Sequence, residues 1–378
     1  MEPVSVKTYH RGADALKFLL MPFVCFACFG LPGRVGFYIA QLSQFAPAAF
    51  FLLCGYFAAE NEQTGNDRSG KLIGRSARRF LLLFVIYLAC NIALFLWQGA
   101  TFTALVKGLL RKRVLFNFFV LNVWPFEVGE TIWFIQSLLY VRIGLLVLKK
   151  LELMRYYKVL MILGFLSMLL AGELAGVVRF RLLGYSHLPA NWFTYAMPYM
   201  LLGRFVYEKR AKLLALQWPV WPAGFALGAG MTFGEFTLLS RLGFLDYVNN
   251  YTVYAVGFCV MALCACCGFL RWDDMHRNFL TAHGKSYSRR IYAMSQPVGL
   301  LLLVGLLAVS NGLYNLTRSL GGIVVYLVCL LLAFLYGVVT RQMKTQGGEM
   351  IWNMKRRNER HKRRKQAEQR RKNDEAEV

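Results

Sequence analysis

Long apolar segments constrain this chain more than any other feature of its sequence. Clear examples are residues 80–97, 132–148 and 321–340, which are rich in leucine and nearly free of charge. A helix rises about 1.5 Å per residue, so roughly 20 apolar residues cross about 30 Å of hydrocarbon. Because the segments are apolar on every face, the pattern predicts a polytopic, all-α integral membrane protein and excludes a soluble globular one.

The apolar pattern predicts about ten transmembrane helices. The predicted spans are 13–29, 35–59, 80–97, 132–148, 159–178, 193–207, 218–237, 251–270, 291–310 and 321–340. The first apolar run follows Lys7 and Arg11, as in a signal peptide, but it has no convincing cleavage site and we expect a retained helix. No internal repeat divides the chain into related halves, which argues against a two-half transporter.

Lysine and arginine are distributed unevenly between the predicted loops. If the N-terminus is cytoplasmic, most basic loops fall on the cytoplasmic side, as the positive-inside rule requires. That side holds Arg68, Lys71, Arg75, Arg78, Arg79, Lys149, Lys150, Arg155, Lys158, Lys209, Arg210, Lys212, Arg271, Arg277, Lys285, Arg289 and Arg290. We therefore expect a multi-pass protein of the plasma (inner) membrane with both termini in the cytoplasm.

Two polar segments stand outside this scheme. Lys107, Arg111, Lys112 and Arg113 lie in a long loop on the predicted outer side, and its aromatic residues favour partial re-entry into the membrane. Residues 341–378 form a polar, basic segment, so the sequence divides into a membrane domain, 1–340, and a cytoplasmic tail. Basic runs beside a membrane bind anionic lipid at about 1 kcal/mol per residue, and we expect membrane lipid, not nucleic acid, as the partner.

Few residues within the predicted spans are of a type that could catalyse a reaction or bind a charged ligand. Ionisable side chains within or near the predicted spans are Lys17, Glu130, Arg142, Glu173 and Arg204. Because burying charge in lipid is costly, each is a functional candidate, although Lys17 can instead extend to the cytoplasmic surface. All nine cysteines lie in apolar segments, and none has the histidine or second cysteine pair of a metal site, so we expect no metal.

Six short motifs occur in order between Ala15 and about Val298. They are Ala15-Leu-Lys-Phe18, Phe50-Phe-Leu-Leu-Cys-Gly-Tyr56, Arg75-Ser-Ala-Arg78, Trp133-Phe134, Met197-Pro-Tyr-Met-Leu-Leu-Gly-Arg204, and Gly284-Lys-Ser-Tyr287 followed by Ile291-Tyr292. In this order they resemble the acyltransferase-3 family of bacterial membrane acyltransferases, which have about ten membrane helices. Members of that family move an acyl group, often acetyl, from cytoplasmic acyl-CoA to sugar hydroxyls of envelope glycans.

The resemblance implies roles for four residues. Lys17 takes the place of a family arginine near the acyl donor, and Arg75 and Arg78 would bind the phosphates of CoA. Guanidinium groups bind phosphate in bidentate fashion, although the same pair is also typical of positive-inside charge. The family's central histidine, ten residues beyond that arginine, corresponds to Cys28, and a second histidine corresponds to Ser295.

The histidine positions are where the chain departs from the family. None of its five histidines lies in a predicted span, so the general base, which contributes about 10²- to 10⁴-fold, is missing. A thiol buried in apolar surroundings is a poor base, but a thiolate at Cys28 can form a thioester. Lys17 is about 16 Å away along the same helix and does not pair with it directly. A structural Cys28 in an inactive member is the alternative.

The resemblance implies O-acyl transfer from cytoplasmic acyl-CoA to a hydroxyl of a cell-envelope polysaccharide or related surface glycan. Two alternatives stay open at the level of sequence. One is a catalytically inactive family member that binds a glycan, a lipid or a partner protein. The other is a transporter or flippase whose intramembrane charges line a path.

Overall fold

The computed structural model describes most of the chain. The described residues are 10–65, 69–97, 99, 101–125, 131–171, 191–241, 256–272, 279–312, 315, 320–340 and 342–343, and these are helical without any strand. The helices are α1 (Arg11–Cys28), α2 (Gly33–Ser43), α3 (Phe45–Gln63), α4 (Ser69–Trp97), α5 (Phe102–Leu109), α6 (Lys112–Phe119), α7 (Ile132–Lys150), α8 (Tyr157–Ala171), α9 (Met197–Glu208), α10 (Arg210–Leu213), α11 (Val220–Arg241), α12 (Val256–Arg271), α13 (Phe279–Val309) and α14 (Gly321–Thr340). A 3₁₀ turn, Leu153–Tyr156, precedes α8, and a π-helical turn, Trp192–Ala196, precedes α9.

Five segments of the described chain are long and apolar enough to cross a membrane. They are Val35–Gln63, Ser69–Trp97, Ile132–Lys150, Leu153–Leu170 and Gly321–Thr340, and α12 is apolar but shorter. Large apolar side chains such as Leu81, Leu82 and Val85 of α4 lie exposed on the helix surface, where lipid would cover them. The prediction of an all-α chain with several helices able to span a membrane is confirmed for the described residues, whereas about ten spans stay a prediction.

Helix boundaries differ from the predicted spans where charge or proline intervenes. The helices α4 and α13 begin at Ser69 and Phe279, well before the predicted starts at 80 and 291. Hydropathy indicates which residues contact lipid, and a helix can extend beyond them into polar sequence. The second predicted span is two helices that meet at Gln44. Pro47 has no amide hydrogen for the carbonyl of Ser43, which favours a break there. Residues 172–178 and 251–255 of the predicted spans lie outside the described residues.

Contacts between charged side chains at helix ends show the directions in which the helices run. His10, just before α1, lies 2.9 Å from Glu60 near the end of α3, so these two helices are antiparallel. Glu62 binds Lys149 at the end of α7 (3.3 Å) and Arg204 near the end of α9 (2.9 Å). The helices α3, α7 and α9 therefore end on one side of the bundle, the side where α1 begins.

Contacts along α4 show that it runs antiparallel to α7. Arg142, in the middle of α7, donates to the Leu72 carbonyl near the start of α4. Tyr87, further along α4, has its hydroxyl 3.2 Å from that of Thr131, which immediately precedes α7. The first four predicted spans and the sixth thus alternate in direction, as a chain that crosses back and forth requires.

Two glycines allow close packing of α3 against α9. A Cβ atom placed on Gly55 would lie 1.9 Å from the Met200 carbonyl oxygen, and one on Gly203 would lie 2.0 Å from that of Leu52. Any side chain at either position would collide with the facing backbone. Small residues at such a crossing let two membrane helices approach closely, so the pair forms the centre of this side of the bundle.

The loop after α4 folds back along that helix. The ring of Phe118 in α6 stacks on Phe80, with centroids 6.4 Å apart, and Trp124 meets Phe84 edge to face at 5.7 Å. The Gln136 side chain of α7 donates to the Phe118 carbonyl at 2.7 Å. The aromatic part of this loop therefore packs beside the apolar part of α4, far from the end of that helix where the loop begins.

The chain divides into two units, Met1–Cys329 and Leu330–Val378, with the boundary inside α14. The first unit contains α1 to α13. The described part of the second unit is residues 330–340 and 342–343, which are helical. The predicted tail, 341–378, falls almost entirely outside the described residues, so the division into a membrane domain and a basic tail stays a prediction.

Candidate functional site

Helix α1 carries both ends of the predicted site. Lys17 lies in its second turn and Cys28 is its last residue, with Pro22 between them. The helix is continuous across this stretch, which separates the two residues by roughly 16 Å. The two side chains therefore belong to different environments, and each has to be considered with its own neighbours.

Lys17 forms an ion pair within its own helix. Its Nζ lies 2.8 Å from the carboxylate of Asp14 and 5.0 Å above the ring centre of Phe57 on α3. Asp14 is only 5% exposed, so the pair compensates an otherwise costly buried carboxylate. The sequence analysis did not consider Asp14, although an acid three residues before a lysine on one helix face is a readable signal.

The guanidinium group of Arg79 lies within electrostatic range of two others, on different helices. Arg142 of α7 and Arg289 of α13 both lie close enough to Arg79 of α4 to interact electrostatically. Arg289 also lies close enough to Asp14 to interact with it electrostatically. Because like charges repel, this arrangement favours an anion near Arg79. Arg79 directly follows the predicted Arg75–Arg78 pair.

The predicted CoA ligands, Arg75 and Arg78, are exposed on α4. They lie in the N-terminal third of that helix, on the same side of the bundle as Lys149 and Glu62. Exposure leaves their guanidinium groups accessible to a soluble phosphate compound. The structure therefore places them where a donor from solution can reach them, but not beside Cys28.

Cys28 lies near a network of hydroxyl groups. The half-buried thiol is close enough to Tyr87 of α4 and Tyr292 of α13 for electrostatic interaction. The Tyr87 hydroxyl lies 3.2 Å from the Thr131 hydroxyl and donates to the Ala293 carbonyl at 3.4 Å. The Tyr292 hydroxyl donates to the Thr131 carbonyl. Sequence reasoning quoted Tyr292 only as part of a motif and missed Tyr87 and Thr131.

The chemistry available around Cys28 is hydrogen-bond donation. A phenol is protonated at neutral pH, so Tyr87 and Tyr292 can stabilise developing negative charge but do not act as bases there. Ser295, at the place of the second family histidine, is buried and its hydroxyl donates to the Tyr292 carbonyl at 3.1 Å. The site therefore offers a thiol and donors in place of the usual imidazole.

The remaining ionisable residues that the sequence singled out lie away from Cys28 or outside the described residues. Arg204 pairs with Glu62 at 2.9 Å and with Glu208 at 3.3 Å, which gives it a role in joining helices. Glu130 and Glu173 lie outside the described residues. Within the described part of the chain, no group of three or more histidine, cysteine, aspartate or glutamate side chains could hold a metal ion.

No protein-family model, curated protein or solved structure matches this chain. The resemblance to the acyltransferase-3 family therefore depends on the six ordered motifs alone. The positions of Cys28, Lys17, Arg75 and Arg78 in the bundle are the structural context in which that resemblance has to be tested.

Proposed function

We propose that this chain is a membrane-bound O-acyltransferase of the acyltransferase-3 type, with about ten transmembrane helices. In this proposal, an acyl group, often acetyl, moves from cytoplasmic acyl-CoA to a hydroxyl of an envelope polysaccharide or related surface glycan. The observation that carries the proposal is the position of Cys28. Its thiol occupies the family's histidine place and lies within range of electrostatic interaction with the phenols of Tyr87 and Tyr292.

The basic side of the bundle suits the donor. CoA carries several phosphate groups, and Arg75 and Arg78 are exposed arginines of the kind that bind phosphate in bidentate fashion. The Lys17–Asp14 pair lies on the same helix as Cys28 and near its opposite end. A donor bound at the basic side would direct its thioester along α1 towards Cys28.

Two balanced acyl-transfer steps account for the chemistry. The Cys28 thiol attacks the thioester carbonyl, a new carbon–sulfur bond forms as the bond between the acyl carbon and the CoA sulfur breaks, and the thiol proton passes to the sulfur of the leaving CoA. The acceptor hydroxyl then attacks the acyl-cysteine, which forms the ester and returns the proton to the thiol. In both steps the Tyr87 and Tyr292 hydroxyls turn from the Ala293 and Thr131 carbonyls to donate hydrogen bonds to the substrate carbonyl oxygen as it gains negative charge.

The decisive experiment measures transfer or hydrolysis of acetyl-CoA by the purified protein in detergent. Cys28→Ala abolishes the activity in this proposal, whereas Cys28→His preserves or raises it because an imidazole supplies the missing base. Cys259→Ala, on α12, is the matched control and keeps wild-type activity. An active Cys28→Ala protein would remove this residue from the mechanism.

A non-catalytic binding protein is the second candidate. The observation that favours it is the Lys17–Asp14 ion pair. Asp14 neutralises the positive charge of Lys17, the residue at the place of the family arginine near the acyl donor. In that case neither the wild type nor Cys28→His transfers acetyl groups, although the purified protein still binds a glycan or lipid. Measured turnover by the wild type rejects this candidate.

A further inference from the structure

A small cavity lies between α3, α4, α7 and α9, on the side of the bundle where α3 and α7 end. Its volume is ≈ 70 Å³, room for a group of about phosphate size or a few water molecules. Most of the lining is apolar, including Ala58, Leu145 and Met200. Three basic residues, Arg142, Lys149 and Arg204, also line it, and the acid among its described lining residues is Glu62. The charges at the cavity are therefore unbalanced in favour of an anion.

The acid does not compensate all three basic groups. Glu62 pairs with Lys149 at 3.3 Å and with Arg204 at 2.9 Å, and Arg204 also binds Glu208 at 3.3 Å. These ion pairs fix Lys149 and Arg204 at the wall of the cavity. Arg142, two turns before Lys149 on α7, forms no ion pair with Glu62 in the described part of the chain.

Arg142 instead binds neutral groups. Its Nη1 donates to the Leu72 carbonyl at 3.2 Å and to the Ser76 hydroxyl. No carboxylate of the described residues lies within ion-pair distance of this guanidinium, and the like charge of Arg79 lies within electrostatic range of it. A partly buried arginine in an apolar helix, beside a second arginine, is costly unless an anion completes its surroundings.

We propose that this cavity binds the phosphate group of an anionic membrane lipid, independently of any acyl transfer. Arg142 and Lys149 bind the phosphate oxygens, since arginine and lysine are the residues that bind phosphate in proteins. The apolar lining, with Leu145 and Met200, accommodates the first carbons of the lipid. A soluble phosphate compound offers the same anionic group, but it lacks the apolar part that these walls fit.

The test measures ligand-induced thermal stabilisation of the purified full-length protein in a neutral detergent. The probes are phosphatidylglycerol, phosphatidylcholine, inorganic phosphate and CoA. Phosphatidylglycerol raises Tm of the wild type in a saturable way, and zwitterionic phosphatidylcholine does not. Arg142→Gln weakens the phosphatidylglycerol affinity about tenfold or more, because one charge-assisted contact is lost. Lys150→Gln is the matched control, since Lys150 is exposed and does not line the cavity.

A second variant covers the case in which Arg142→Gln does not fold. Lys149→Gln, whose side chain is 40% exposed, weakens phosphatidylglycerol binding several-fold, again with Lys150→Gln unchanged. If inorganic phosphate or CoA stabilises the protein better than the lipid, and Arg142→Gln or Lys149→Gln removes that effect, the anion is soluble and the lipid source is wrong. Equal responses of the wild type and both variants to every probe overturn the site itself.

Discussion

At the scale of single residues, the identity of Cys28 decides which route is open to the proposed acyl transfer. An imidazole at this place could take a proton from the acceptor hydroxyl, whereas a thiol has to form a covalent intermediate. The structure adds two phenols near the thiol, Tyr87 and Tyr292, that no sequence motif marked as functional. Their value to the reaction lies in donating hydrogen bonds to a carbonyl oxygen.

Removing one of these phenols tests that role. Tyr292→Phe lowers kcat for acetyl transfer about 100- to 1,000-fold, the range for loss of a donor to developing negative charge, with little change in KM. Tyr156→Phe is the control because Tyr156 is 49% exposed and lies in the turn before α8. Steady-state kinetics at equal protein stability provides the measurement, and an unchanged kcat would exclude Tyr292 from transition-state stabilisation.

The exposed arginines of α4 make a different kinetic prediction. Arg75→Gln and Arg78→Gln each raise KM for acetyl-CoA about tenfold with kcat nearly constant, because a charged phosphate contact contributes about 1.5–3 kcal/mol. Lys71→Gln is the control, since Lys71 is exposed on the same helix. If all three variants change KM equally, the effect is one of general positive charge and the two arginines have no specific CoA role.

At the scale of helices, the α3–α9 contact depends on two glycines rather than on hydropathy. The carbonyl oxygens of Met200 and Leu52 occupy the positions where Cβ atoms of Gly55 and Gly203 would be. The ion pairs of Glu62 with Lys149 and Arg204 then join the ends of α3, α7 and α9. Close backbone approach and charge pairing therefore act at different points along the same helices.

Alanine substitution separates close packing from helix propensity. Gly203→Ala destabilises the protein by about 1–3 kcal/mol, because the added methyl group overpacks the contact with Leu52. Gly74→Ala, on α4, is neutral or stabilising by up to about 1 kcal/mol, since open space surrounds Gly74 and alanine favours helix. Thermal unfolding in detergent compares the two, and a stable Gly203→Ala protein would show that the helices separate more easily than this packing implies.

The bridging arginine of α9 can be compared with a nearby arginine that makes local contacts. Arg204 pairs with Glu62 and Glu208 and lies 5.3 Å from the ring centre of Tyr157, so it connects α9 to α3 and α8. Arg204→Ala costs about 1–3 kcal/mol, between the values for exposed and buried pairs. Arg210→Ala costs less, because Arg210 contacts Tyr207 three residues earlier. Equal shifts in Tm for the two variants would contradict the bridging role.

At the scale of the whole molecule, the helix directions describe a chain that turns back at each crossing. The pair of His10 with Glu60, together with the Glu62 bridges, places the start of α1 and the ends of α3, α7 and α9 on one side. That side is also rich in lysine and arginine, which is the distribution expected of a cytoplasmic face. The cavity with Arg142 and the exposed arginines of α4 lie towards the same side.

Protease sites inserted into the full-length chain test this topology. Sites placed after Gly65 and after Lys209 are cleaved in vesicles of the same orientation, and a site after Gly99 is cleaved in vesicles of the opposite orientation. The reason is that α3 and α9 end on one side of the bundle, whereas α4 leads to the other. Cleavage of the Gly65 and Gly99 sites from one face would contradict the arrangement.

The sequence by itself determined the class of this protein and the approximate position of its helices. An apolar segment long enough to cross a membrane has to be helical, because every backbone polar group must form its hydrogen bond within the segment. Sequence also singled out Lys17 and Arg142, since charge inside such a segment is rare. It could not show that α4 begins at Ser69 or that α2 and α3 are separate, because charged residues and a single proline carry no hydropathy signal there.

The tertiary structure decided what surrounds each polar group. The phenols near Cys28 and the cavity beside Arg142 depend on contacts between helices that hydropathy does not describe. The physical reason is that a membrane span is selected for contact with lipid along its whole length, whereas a site is selected for a few polar contacts between spans. Those contacts exist only once the helices have packed.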